Sequence, residues 1–174
     1  MRHVFISALT LAFIAVTPAL AQEGQLPGNP QVDYGGFVEI ASDLKGYRST
    51  RLVDLATFRN MAEQPDAIIL DTRSASAFQA GHISGAVNLP FSDFTEEKLA
   101  AVIGDKERPI LIYCNNNFLD NIRPVRLKSA PLALNIPTFI NLYGYGYKNI
   151  HELADVVSVR DPKVVWKGIL PLQP

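Results

Sequence analysis

The chain has little of two features that often point to a function, cysteine and net charge. One cysteine among 174 residues excludes an intramolecular disulfide bond. The 16 basic residues nearly balance the 17 acidic residues, and no basic run is present. We therefore expect no nucleic-acid partner.

The sequence also lacks an apolar run long enough to cross a bilayer. Residues 4–16 are apolar but too few to span one, and they lie between Arg2-His3 and an Ala-Leu-Ala sequence that ends at Ala21. This pattern predicts a signal peptide over residues 1–21. We expect export, most simply to a bacterial periplasm, and no membrane contact after cleavage. Without a cysteine after the signal, a lipoprotein anchor is not supported either.

Cleavage before Gln22 would leave 153 of the 174 residues, which suits one domain with a sizeable core. Residues 22–48 read as an N-terminal lead-in, irregular at first because glycine and proline are frequent there, with a short strand over 37–41. The main domain is predicted over 49–157. Residues 158–174 form a tail with enough apolar area to fold back over that domain.

Within the domain, short apolar runs alternate with helical patterns. Asp54 and Thr95 are expected to cap helices, and Gly104 is expected to end the second one. The remaining patterns predict strands over 49–52, 67–70, 86–88, 109–114 and 138–142, with helices through 78, over 124–129 and over 147–156. Strands that alternate with helices predict a mainly parallel α/β sheet.

The single cysteine, Cys114, directly follows an apolar strand and precedes three asparagines. In open α/β sheets, ligands bind outside the carboxyl ends of the strands, where loop amides and helix N-termini converge. Such dipoles favour a thiolate, so we expect the pKa of Cys114 to lie below that of a free cysteine. The other interpretation is a small buried hydrophobic residue at a strand end. An unpaired thiol in an oxidising compartment is either buried or reactive, and export favours reactivity.

A second stretch carries a family resemblance. It contains Asp71-x-Arg73, then Phe78, then the sequence Gly-His-Ile-x-Gly-Ala-x-Asn-x-Pro that starts at Gly81. Together with the strand that ends in Cys114, it resembles the rhodanese-like family over residues 50–157. The resemblance implies a three-layer α/β/α fold with a central, mainly parallel sheet. It also implies that Cys114 carries sulfane sulfur as a persulfide, cradled by backbone amides.

The resemblance further implies partners and cofactors. A small sulfur-containing donor would load the cysteine, a thiol or cyanide-like acceptor would unload it, and no cofactor would be required. The residues after the cysteine are the expected substrate-binding loop, namely Asn115, Asn116, Asn117, Phe118, Leu119 and Arg123.

The loop departs from the family pattern in its charge. The family places a basic residue five or six positions after the cysteine, whereas this chain has Leu119 and Asp120 there and its first arginine at Arg123. Phosphatases of similar fold need that close arginine to clamp an oxyanion, so phosphatase chemistry is disfavoured. Asp120 would raise the pKa of the thiol if it lay close to it.

The other motif residues are expected to be structural. Asp71 and Arg73 are predicted to pair across a turn, and His82 to hold a loop by hydrogen bonding. Gly81 and Gly85 indicate backbone conformations or close approaches that exclude a side chain. No metal site is expected, because the histidines are not spaced as a cluster with the cysteine. The tyrosines of the later glycine-rich turn, Tyr143, Tyr145 and Tyr147, are expected to pack rather than line a pocket.

Two classes of function remain open from the sequence. The first is an exported sulfurtransferase that uses a Cys114 persulfide. The second is a rhodanese-like binding module, in which the altered loop recognises a protein partner or ligand without turnover.

Overall fold

A computed structural model describes residues 31–170 of the chain. The predicted signal peptide, residues 22–30 of the predicted lead-in and residues 171–174 of the tail lie outside the described residues. Contacts within the chain group the described residues 34–170 into one compact unit. Among the described residues, no helix is long and apolar enough to cross a membrane.

The described part of the chain contains five α-helices and seven strands. The helices are α1 Tyr34–Ser49, α2 Leu55–Ala62, α3 Ala75–Ala80, α4 Glu96–Ile103 and α5 Asn135–Gly144. The strands are β1 Leu52–Val53, β2 Ile68–Asp71, β3 Gly81–Ile83, β4 Ala86–Asn88, β5 Ile110–Tyr113, β6 Ile150–Leu153 and β7 Trp166–Gly168.

The central sheet has five parallel strands in the order β1-β6-β5-β2-β4. Leu70 of β2 lies beside Ile112 of β5, and Ile112 lies beside Glu152 of β6. Strands β2 and β5 are buried along their whole length, as continuous apolar runs in parallel sheets usually are. The predicted α/β class with a mainly parallel sheet is confirmed.

Alternating side chains of the strands supply two separate cores, one on each face of the sheet. Ile68 and Leu70 pack on one face with residues of α1, α4 and α5, whereas Ile69 packs on the other face with residues of α2 and the C-terminal segment. Helices therefore cover both faces, and the three-layer α/β/α architecture is confirmed.

Local sequence signals set the boundaries of α2 and α4 as predicted. The side chain of Asp54 accepts a hydrogen bond from the backbone N–H of Thr57, and Thr95 accepts one from Lys98. Gly104 ends α4 with a φ of 80°, a value that favours glycine over other residues.

The prediction for the end of the lead-in is wrong, because residues 37–41 belong to α1 and not to a strand. Glycines at 35, 36 and 46 disfavour a helix by intrinsic propensity. Packing overrides that propensity, since Leu44 is 3% exposed and the Tyr47 ring meets the Phe139 ring of α5 edge to face. The lead-in from Tyr34 onward is thus part of the folded unit. The strand predicted over 49–52 shifts to Leu52–Val53.

Two predictions in the second half of the chain are also wrong. A predicted strand is a helix, and a predicted helix contains a strand. Residues 138–142 lie in α5 instead of a strand, and residues 147–156 contain β6 instead of a helix. Short apolar runs do not distinguish a buried strand from a buried helix. Tertiary packing decides both, because β6 fills the sheet position between β1 and β5.

The helix predicted over 124–129 is absent, and this stretch has no regular structure. Side chains of the asparagine turn, Asn115–Asn117, form hydrogen bonds with backbone groups of this stretch instead. Asn115 Nδ2 donates to the carbonyl of Arg126 at 2.8 Å, and Asn116 Oδ1 accepts from the N–H of Lys128 at 3.0 Å. Those bonds hold an extended segment against the turn.

The tail packs on the domain through a second, two-stranded sheet. β7 runs antiparallel to β3, and Gly81 lies opposite Gly168. A Cβ atom on Gly81 would lie 2.6 Å from the Trp166 ring, which is closer than side chains tolerate. Val159 and Val164 of the same tail are buried in the core on this side of the sheet.

Candidate active site

Cys114 lies where β5 ends and faces the N-terminus of α5. Its sulfur accepts the backbone N–H of Asn116 at 3.4 Å. The backbone N–H groups of Asn135 and Leu134, at the first turn of α5, also act on the sulfur and lower its pKa. The thiol is therefore surrounded by amide donors, as a sulfur anion requires.

Burial outweighs these donors. Cys114 is 1% exposed, and desolvation raises the pKa of its thiol above the ordinary cysteine value. The negative charge of Glu152 adds to the increase. The predicted lowering of the Cys114 pKa is thus wrong. Desolvation of the thiolate raises the pKa by more than the three backbone N–H groups lower it.

Asn117 fixes the conformation of the cysteine turn. Its Oδ1 accepts the backbone N–H of Cys114 at 2.9 Å, and its Nδ2 donates to the carbonyls of Leu153 at 2.7 Å and Asp155 at 3.1 Å. These bonds join the turn after β5 to the end of β6. Asn117 is 5% exposed, so its role is to position the turn.

Of the other residues predicted for the substrate-binding loop, two lie beside Cys114 and three do not. Asn115 and Asn116 stay beside Cys114, each bonded to the extended segment over 126–128. Phe118 is instead fully buried in the core, edge to face with Tyr113 and Trp166.

Leu119 and Arg123 both lie exposed. Asp120 uses its carboxylate to accept hydrogen bonds from Ser158 Oγ and the Val159 N–H, which anchors the tail. The carboxylate that acts on the thiol is therefore Glu152 and not Asp120.

Two cavities border Cys114. One, of about 260 Å³, is lined among others by Arg73, Ser74, Asn115 and Lys128. The other, of about 240 Å³, is lined among others by Arg48, Asn117, Asn135 and Glu152. Phe118, Leu119 and Arg123 line neither cavity. Both cavities have room for a small molecule next to the sulfur, and each places a basic side chain in its wall.

A buried ion pair holds Arg73 in the wall of the first cavity. Arg73 Nη2 donates to Asp71 Oδ2 at 2.6 Å, and the two residues are 3% and 0% exposed. The hydroxyl of Tyr113 donates to the same oxygen at 2.5 Å. Burial, aided by the charge of Asp71, raises the pKa of Tyr113 well above its ordinary value, so the hydroxyl keeps the proton that it donates.

The remaining motif residues stabilise turns. His82 Nδ1 donates to the carbonyl of Phe78 at 2.8 Å, and its ring stacks on that of Phe78. Gly85 has a φ of 87°, which disfavours other residues. Among residues 31–170, no group of three or more His, Cys, Asp or Glu side chains is arranged to hold a metal ion.

The tyrosines of the glycine-rich turn lie away from both cavities. Tyr145 donates to the carbonyl of Phe94 at 3.4 Å, Tyr147 is 2% exposed, and the Tyr143 ring meets that of Tyr47.

Sequence reasoning misses four residues of the site, namely Arg48, Lys128, Asn135 and Glu152. One signal for Asn135 is present, since Pro137 is typical of the first turn of a helix. Because the apolar residues Phe139, Ile140 and Leu142 predict a strand, the first turn of this helix is not recognised from the sequence. The other three are charged residues distant in sequence from Cys114, and no local pattern marks them.

Comparison with known proteins identifies the family of the chain. Residues 54–155 match a family model described as the rhodanese-like domain. The match covers more than half of the chain. The protein therefore belongs to the rhodanese-like domain family.

Individual relatives are distant. The chain is 34% identical over 53 residues to an uncharacterized protein of Buchnera aphidicola, covering 30% of this chain and 36% of that protein. It is 25% identical over 115 residues to a tRNA uridine(34) hydroxylase of Hamiltonella defensa, covering 64% of this chain and 28% of that protein. The chain thus spans about a third of the length of the curated relatives that it matches.

Solved structures similar to this chain include the rhodanese-like domain of the Alr3790 protein from Anabaena. It is 22% identical with a TM-score of 0.46, and the match covers 68% of this chain and 80% of that one. A thiosulfate sulfurtransferase from Pseudomonas aeruginosa is 16% identical with a TM-score of 0.45, covering 71% of this chain and 21% of that one.

Proposed function

We propose that this rhodanese-like protein is a sulfurtransferase that carries sulfane sulfur as a persulfide on Cys114. The observation that supports the proposal is the position of the sulfur, which receives backbone N–H groups from Asn116, Leu134 and Asn135 and borders two cavities. Amide donors aimed at one sulfur atom stabilise a sulfur anion without a metal or a cofactor.

The proposed reaction has two steps. The Cys114 thiolate attacks the outer sulfur of thiosulfate, an S–S bond forms, and the S–S bond of the donor breaks as sulfite leaves with the electron pair. An acceptor thiolate or cyanide then attacks the outer sulfur of the persulfide, which leaves as an acceptor persulfide or as thiocyanate. The S–S bond to Cys114 breaks, and its electron pair regenerates the Cys114 thiolate. No external oxidant or reductant is consumed.

The burial of Cys114 is compatible with such a carrier. An S–S bond is about 2.05 Å long, so the outer sulfur of a persulfide would lie beyond the buried Sγ and within one of the cavities. The raised pKa of the free thiol predicts slow loading near neutral pH, because little thiolate is present.

The test is the mass of the full chain after incubation with thiosulfate. We expect the gain of one sulfur atom, removed again by cyanide or by a small thiol. No gain with thiosulfate or any other sulfane donor would contradict the proposal.

That outcome would favour a second function, recognition of a ligand or protein partner without turnover. The specific observation on its side is the 1% exposure of Cys114 with its raised pKa, since structural cysteines are typically buried and inert. Binding would then use the surface formed by Asn116 and the segment over 126–128.

Lys128 is the expected contact for an anionic donor. It lines the same cavity as Cys114, and it takes part in none of the ion pairs found among residues 31–170. Lys128→Ala is expected to raise the KM for thiosulfate roughly fivefold with kcat little changed, since an exposed charge contact contributes about 1 kcal/mol. Steady-state kinetics at low ionic strength measure the effect.

Arg123→Ala and Arg126→Ala are the matched controls. Both remove a nearby positive charge, yet neither residue lines a cavity that borders Cys114. Their KM values are expected to match that of the unmodified protein. An increase confined to Arg123→Ala would show that the donor binds at the arginine predicted from the sequence.

We also propose that the protein is exported, most simply to a bacterial periplasm, after cleavage before Gln22. The support is the charged start, the apolar run and the small residues before that position. N-terminal sequencing of the protein from its native cell envelope is expected to begin near Gln22. A retained Met1 would contradict cleavage.

A further inference from the structure

A continuous chain of hydrogen bonds links α1 to the cysteine turn. Arg48 Nε and Nη2 donate to Glu152 at 2.7 Å and 2.5 Å. Asn135 Nδ2 donates to Glu152 Oε1 at 3.2 Å and to Asn117 Oδ1 at 3.1 Å. Because Asn117 Oδ1 also accepts the backbone N–H of Cys114, the chain runs from a surface helix to the residue that carries the thiol.

Two features connect this hydrogen-bonded series to the cysteine site. Glu152 is 4% exposed, and it lines the same cavity as Cys114. Its only ion-pair partner among residues 31–170 is Arg48, which lies before residue 54, where the family match begins. An element outside the matched region therefore supplies the charge that balances a buried carboxylate next to the sulfur.

We propose that the Arg48–Glu152 pair, acting through Asn135, sets the charge environment of the Cys114 sulfur, so that α1 is part of the active site. Asn135 is the central residue, because its side chain contacts Glu152 while its backbone N–H acts on the sulfur. Arg48 and Glu152 are positioning residues in this arrangement. The proposal rests on the proposed function, in which the Cys114 thiolate reacts. Its test measures the ionisation of the thiol and does not require sulfur transfer.

Other charges near the cysteine are accounted for. Asp71, the last residue of β2, and Arg73 balance each other's charge as a buried ion pair. Asp155, beyond β6, accepts the backbone N–H of Leu55 at 2.8 Å. Lys128 lies in the wall of the other cavity. Glu152 is the carboxylate whose charge raises the pKa of Cys114, and Arg48 is the cation bonded to it.

The test compares the thiolate titration of Cys114 in three variants of the full chain. Glu152→Gln keeps the shape but removes the negative charge, so the thiolate midpoint is expected to fall. Alkylation by iodoacetamide at pH 7 should then quicken roughly threefold, because the larger thiolate fraction is partly offset by lower nucleophilicity. Arg48→Ala leaves the carboxylate unbalanced and is expected to raise the midpoint. Arg48→Lys keeps the positive charge, so its midpoint should lie close to that of the unmodified protein.

Ultraviolet absorbance of the thiolate, taken as the difference from the same variant with Cys114→Ser, reports the midpoint without requiring access to the buried sulfur. Opposite shifts for Glu152→Gln and Arg48→Ala support the proposal. Unchanged midpoints, or shifts in the same direction, overturn it. If Arg48→Ala does not fold, Arg48→Gln removes the same positive charge with a smaller loss of volume and is measured in its place. Absence of sulfur uptake with opposite midpoint shifts would contradict only the proposed function.

Discussion

Replacing Cys114 with serine is expected to abolish sulfur uptake and to leave the fold intact. Serine is nearly isosteric, and its hydroxyl can accept the backbone N–H of Asn116 that the sulfur now accepts. No disulfide is lost, because Cys114 is the single cysteine. The free energy of unfolding should therefore change by no more than about 1 kcal/mol. Persulfide formation should disappear entirely, since a serine oxygen cannot form the S–S bond.

Asn116→Ala is the informative companion variant. It removes the two hydrogen bonds to Lys128 but leaves the thiol in place. Under the sulfurtransferase proposal, this variant keeps measurable uptake while Cys114→Ser has none. Full biological activity of Cys114→Ser, together with loss of activity in Asn116→Ala, would identify the loop as a recognition surface instead.

Asp71→Ala is expected to cause the largest loss of stability, about 3 to 5 kcal/mol. The substitution leaves the Arg73 guanidinium buried without a carboxylate partner, although its hydrogen bonds to the carbonyls of Gly81 and Pro124 remain. It also leaves the Tyr113 hydroxyl without the oxygen to which it donates. Urea denaturation at neutral pH measures the effect.

The exposed pair of Lys98 and Asp93 provides the matched control. Asp93→Ala removes a carboxylate of the same type at the surface, where water screens the pair, so it should cost far less stability than Asp71→Ala. Equal losses for the two variants would show that burial does not set the energy of the Asp71–Arg73 pair.

The helices of the chain show which elements a sequence pattern can define. α2 and α4 are predictable because each carries its own start signal, a capping side chain followed by helically spaced apolar residues. α1 contains three glycines, which disfavour a helix by intrinsic propensity, so its composition does not predict it as one. Its stability comes from packing on α5, which lies in the second half of the chain.

The site divides in the same way. Cys114, the asparagine turn, the Asp71–Arg73 pair and Gly81 are identifiable from the sequence, because each lies within a short stretch whose spacing carries the information. Their neighbours Lys128 and Glu152 are not, because the fold brings them to the cysteine from the loop and from β6.

The sequence by itself determined the class of fold, the family and the candidate reactive residue, Cys114, since strand and turn patterns and a nearly contiguous motif are local properties of the chain. Only the tertiary structure decided the electrostatic state of that residue. The pKa of Cys114 depends on how far the thiol is removed from water, on which amides of α5 reach it and on the charge of Glu152. All three are set by contacts between distant segments, and for that reason the pKa is raised where the sequence predicts a lowering.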